Sequence, residues 1–105
     1  MRMHWTDLSG CEAATQEKST LLVFTAEWCP ACDQFCTMLS KLESDPLFPR
    51  VVLMDVDEDR QGAIEQFKLK LLPTVLYFKS GELISRTEGL TSSETIQGML
   101  RPYEP

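Results

Sequence analysis

The chain has 105 residues, of which 43% are hydrophobic and 25% charged. That is enough for one hydrophobic core and too little for two, and the composition is not that of a disordered chain. A formal net charge of -6 argues against partners recognised through their phosphates, so neither nucleic acid nor an anionic membrane surface is expected.

Near the amino terminus, Trp5-Thr6-Asp7 places an apolar residue before capping types. Leu8, Cys11 and Thr15 then recur at helical spacing up to the Lys18-Ser19 break, predicting a first amphipathic helix with room for a short strand before Trp5. Leu21-Leu22-Val23-Phe24-Thr25 is continuously apolar and rich in strand formers, the pattern of a central strand buried on both faces. A second helix follows, with Pro30 in its first turn and Phe35, Leu39 and Leu42 as its apolar stripe. Ser44-Asp45-Pro46 and Pro49 end it, and Val51-Val52-Leu53-Met54 reads as a second buried strand, parallel to the first and leading into the acidic run Asp55 to Asp59.

A shorter helix is predicted from about Gln61 to Lys68, with Ala63, Ile64 and Phe67 inward, before the strand Val75 to Phe78. Ser80-Gly81 suits the two-residue turn of a hairpin onto the alternating segment Glu82 to Thr87. Past Gly89, Ser92 or Ser93 can cap a last helix with Ile96, Met99 and Leu100 inward, stopped by Pro102. The expected fold class is α/β, a mixed sheet flanked by helices, in a single domain over residues 1–105. Met1 to Asp7 lacks the apolar run of a secretory signal and no stretch approaches membrane-spanning length. The expectation is a cytoplasmic monomer.

Four cysteines, at 11, 29, 32 and 36, are clustered rather than dispersed as in a secreted disulfide scaffold. Cys29 and Cys32, with two residues between them at a strand-to-helix junction, can converge to form a disulfide. The positive end of the helix favours a thiolate at Cys29. Thiolate attack by Cys29 on a substrate disulfide, followed by attack of Cys32 on Cys29, would release reduced product. A half zinc site is the competing reading. A closed site wants four ligands, however, and only Cys36, Cys11 and His4 remain to supply them, so no metal is expected. Cys11 and Cys36 read as buried, inert thiols, and His4 as a surface or strand-edge residue.

Phe24-Thr25-Ala26-Glu27-Trp28-Cys29-Pro30-Ala31-Cys32, Asp55-Val56-Asp57, Leu72-Pro73-Thr74, Phe78-Lys79-Ser80-Gly81 and Gly89 together resemble the thioredoxin family. The resemblance implies the thioredoxin fold and a protein disulfide oxidoreductase that needs no bound cofactor. Its substrates would be protein disulfides, and its electron donor a thioredoxin-reductase-like protein or a low-molecular-weight thiol. It also implies a cis Leu72-Pro73 peptide facing the disulfide. The shallow substrate surface would comprise Trp28, Pro30, Ala31, Leu72, Pro73, Thr74 and Gly89.

Four positions depart from the family pattern. Pro30-Ala31 replaces Gly-Pro, putting proline first as in glutaredoxins and tryparedoxins, which implies a shifted reduction potential. Val23 stands where the family buries an acid beneath the active site, so the Cys32 proton must pass to water, Glu27 or another group. Asp33 replaces a basic residue and, with the net acidity, would disfavour acidic partners. The alternatives are glutaredoxin- or tryparedoxin-like exchange with a different donor, and a thioredoxin-fold binding module within a larger complex.

Overall fold

In the computed structural model, which describes residues 4–100, the apolar runs form the middle of a five-stranded sheet. Strand β1 spans His4–Thr6, β2 Thr20–Thr25, β3 Arg50–Asp55, β4 Thr74–Lys79 and β5 Glu82–Glu88. In space they lie in the order β1-β3-β2-β4-β5. β3 is parallel to β1 and β2, whereas β4 is antiparallel to β2 and β5. Val23 faces Leu53 across one edge of β2 and Val75 across the other. All six residues of β2 are buried, as an unbroken apolar run requires when strands flank both edges and helices cover both faces.

The helices are α1 (Leu8–Ala14), α2 (Pro30–Leu42), α3 (Arg60–Phe67) and α4 (Ser93–Leu100). Because side chains alternate along a strand, the sheet divides the core in two. Leu22, Phe24, Val52 and Met54 pack with Cys11 of α1 and Ala63 of α3. Leu21, Val23, Leu53 and Val75 pack with Phe35 and Leu39 of α2 and with Ile96 and Leu100 of α4. The expected mixed sheet with helices on both faces is therefore present.

Boundaries and facings differ locally. β1 includes Trp5 instead of ending before it, and it is one of the two edge strands, which places His4 in an edge. α1 is capped by Asp7, whose carboxylate accepts the Gly10 N–H at 2.9 Å, and it stops at Ala14, four residues short of Lys18. There the Thr15 hydroxyl donates to the Glu12 carbonyl at 2.7 Å, a local bond that competes with helix continuation. Ile64 was expected inward but is 44% exposed. Ala63 is the α3 residue buried against the sheet and Phe67 reaches Phe24 at 5.0 Å between ring centroids, which leaves Ile64 on the flank. Ser80 and Gly81 both have positive φ, 51° and 89°, as a type I′ hairpin turn requires. Of the two candidate caps of α4, Ser92 fills the role, its Oγ accepting the Thr95 N–H. The predicted stop at Pro102 lies outside the described residues.

Candidate active site

The chain leaves β2 at Thr25, turns through Glu27 and Trp28, and enters α2 at Pro30. Cys29 is the N-cap of that helix, with extended backbone, and Pro30 occupies the first turn, where its missing N–H removes no intrahelical bond. The Cys29 sulfur does what a capping oxygen normally does and accepts the Cys32 N–H at 3.2 Å. The Cys32 thiol also donates to it, with the two sulfurs 2.6 Å apart, within reach of a disulfide. Two donors thus converge on the sulfur that must carry negative charge during attack.

The cysteines are not equivalent. Cys29 keeps 7% of its surface exposed and Cys32 2%, so an incoming disulfide meets Cys29. Burial first, and then the hydrogen bond to Cys29, raises the Cys32 pKa, with the Ala26 backbone pulling the other way. Cys32 is therefore a neutral thiol at neutral pH. Val23 is fully buried in the cluster beneath α2 and α4 and Glu27 is exposed, so neither gives Cys32 a buried carboxylate.

Trp28 is 58% exposed beside Cys29. Its indole N–H donates to Asp57 at 2.9 Å, Arg60 pairs with the same carboxylate at 2.5 Å, and the Arg60 guanidinium lies 5.6 Å from the ring centroid. The acidic run after β3 is thus more than a solvated strand end. Val56–Glu58 form a 3₁₀ turn capped by Asp55, Asp59 caps α3, and Asp57 points back to Trp28. Asp57 stands in one of the segments that carry the resemblance, but its bond to Trp28, and with it Arg60, was missed in the sequence because that tie spans 29 positions and no local pattern marks it.

The remaining expected residues divide into two groups. Leu72-Pro73 is a cis peptide, and the Pro73 carbonyl accepts the Gly89 N–H at 2.8 Å, bringing those two segments together. Pro30 is exposed, and Ala31, Leu72 and Gly89 are half-buried, whereas Pro73 is buried. The Thr74 side chain is fully buried and its hydroxyl donates to the Leu71 carbonyl, satisfying a group that would otherwise be stranded. That bond braces the loop from within.

Cys11 is fully buried with its thiol on Met54 Sδ at 3.5 Å, and its pKa is pushed up to about 12, first by burial and then by Asp7 and Glu12. Cys36 is half-buried, with its pKa raised by burial and then by Asp33. Among the described residues, no group of three or more His, Cys, Asp or Glu could hold a metal ion. No described helix is long and apolar enough to cross a membrane.

A family sequence model described as Thioredoxin matches residues 10–101. The chain belongs to the thioredoxin family. Thioredoxin H3 of Arabidopsis thaliana is 31% identical over 97 residues, covering 90% of this chain and 79% of the relative. Thioredoxin of Bacillus subtilis is 30% identical over 94 residues, covering 87% and 88%. A mutant thioredoxin from Halobacterium salinarum superposes with a TM-score of 0.86 over 98% of this chain and 91% of its own, at 21% identity, a likeness of fold alone. With its dithiol at a helix N-cap, this thioredoxin-family member is a thiol–disulfide oxidoreductase.

Proposed function

We propose that this thioredoxin-family chain reduces protein disulfides, with Cys29 as the attacking thiolate and Cys32 as the resolving thiol. The observation that carries the reading is the asymmetry of the pair. Cys29 is the more accessible sulfur and receives two donors, while Cys32 lies beneath it, 2.6 Å away, as a neutral thiol. Attack gives a mixed disulfide between Cys29 and one substrate sulfur, the other sulfur leaving as a thiol. Cys32 then gives up its proton and attacks Cys29, releasing the second substrate thiol and closing the Cys29–Cys32 disulfide. In this reading Trp28, Pro30, Ala31, Leu72, Pro73, Thr74 and Gly89 make up the substrate surface, a grouping supported by the Gly89–Pro73 hydrogen bond.

The donor that restores the dithiol is a reductase or a small thiol. The whole chain acts as one domain in a reducing compartment such as the cytoplasm, a reading supported by its clustered thiols. Redox titration in a dithiol buffer, with each cysteine mapped by alkylation and mass spectrometry, tests the proposal. A reversible Cys29–Cys32 disulfide is expected, and Cys32→Ser should accumulate mixed disulfides through Cys29. A midpoint near ~-270 mV fits a reductase and one near ~-200 mV fits glutaredoxin-like exchange. No such disulfide at any potential would overturn the reading.

A further inference from the structure

Beside Trp28 the surface opens into a groove of about 180 Å³. Val56, Ile64, Leu69 and Leu71 give it apolar walls, and the charged side chains that line it among the described residues are Arg60 and Lys70, with no carboxylate. Leu71 and Ile64 are 57% and 44% exposed, so the groove presents apolar surface to solvent. Asp57 is turned to the Trp28 indole and to Nη2 of Arg60. Arg60 spends only that nitrogen on Asp57, and the rest of its planar fork remains for a second carboxylate. Lys70 is exposed and lines the same groove. A chain of net charge -6 therefore carries a basic, apolar recess next to its nucleophile.

We propose that this recess selects among substrate disulfides, preferring those whose attacked cysteine is flanked by an apolar residue next to an acidic one. The proposal rests on the reductase reading above and names the class of substrate that the site takes. The apolar side chain is buried against Ile64 and Leu71, and the carboxylate meets Arg60 and Lys70. Net acidity repels an acidic segment at a distance, but that repulsion is screened over about 8 Å at physiological salt, so contact chemistry is set by the local pair. The reaction stays balanced: the Cys29/Cys32 dithiol is oxidised to a disulfide as the substrate disulfide is reduced to two thiols, with both protons passing to the products. Arg60 and Lys70 position substrate and exchange no proton.

The test is single-turnover oxidation of the pre-reduced full chain by three cystine peptides. They share one apolar residue and differ at a single flanking position, Glu, Gln or Lys. Rates should fall in that order, with Glu favoured over Gln by about fivefold, the scale of an exposed ion pair. R60Q and K70Q should each reduce the Glu/Gln ratio, and K70E should invert the order of Glu and Lys. The K70E variant leaves the Arg60–Trp28 stack in place and so separates charge selection from damage to Trp28. Equal rates for all three peptides, or a Glu/Gln ratio that survives the double variant R60Q/K70Q, would overturn the selection while leaving the reductase reading intact. No oxidation of Cys29 and Cys32 by any peptide would overturn both.

Discussion

Cys29 holds two posts at once, nucleophile and helix cap, and its neighbour is tuned in the opposite sense. Because the Cys32 pKa is raised, only a small fraction of it is thiolate at neutral pH, and that fraction grows about tenfold per pH unit until the pKa is reached. Burial, the largest cause of the rise, persists when Cys29 is tied in a mixed disulfide, so release of product from it should accelerate from neutral to alkaline pH. Stopped-flow with alkylation quench checks this, and a flat profile would mean that a local base removes the proton. The two cysteines were legible in the sequence because their spacing and the proline between them are local signals. Arg60, and the partners of Thr74 and Asp57, were not, since each is brought near by folding: the Asp57 carboxylate, the Leu71 carbonyl and the Trp28 indole.

Among the elements, the strands were the easiest to read. A run such as Leu21 to Thr25 has no polar face to offer, so it can only be a central strand. Helix faces were harder. α3 has eight residues and one buried residue, Ala63, so a neighbour such as Ile64 can swing to the flank. Turn chemistry was local again. At Gly81 the φ of 89° suits glycine, and a Cβ there would stand 3.0 Å from Gln16 Oε1, the movable end of a flexible side chain. The backbone term thus decides, and Gly81→Val should cost about 1–2 kcal/mol, read by urea denaturation. Removing the α1 cap by Asp7→Ala should cost about 1 kcal/mol in the same assay, since the Gly10 N–H loses its partner.

For the molecule as a whole, thiol burial sets an alkaline limit. The Cys11 thiol titrates near its ordinary 9.0 in the unfolded chain and at about 12 in the folded one. Between those values the folded state holds a proton that the unfolded state has lost, so stability is fully present below about pH 9 and falls as pH rises toward 12. Cys32 and Cys36, also raised, act in the same direction. In the reduced protein, thermal denaturation across pH 8 to 11 should show a decline that is shallower in Cys11→Ala than in the parent, despite the lower starting stability of the variant.

The path of α2 adds a constraint of another kind. Its first turn, through Cys32, packs with the cluster under α1 and α3, whereas Phe35 and Leu39, one and two turns on, pack with the cluster on the opposite side of the sheet. The helix is a strut fastened in both cores. Hydrogen exchange should find Phe35 to Leu39 opening only with global unfolding, while the capped end at Cys32 exchanges sooner. The reactive sulfur is thus carried on the first turn of a helix anchored on both sides of the sheet, so that its position is fixed by both cores at once.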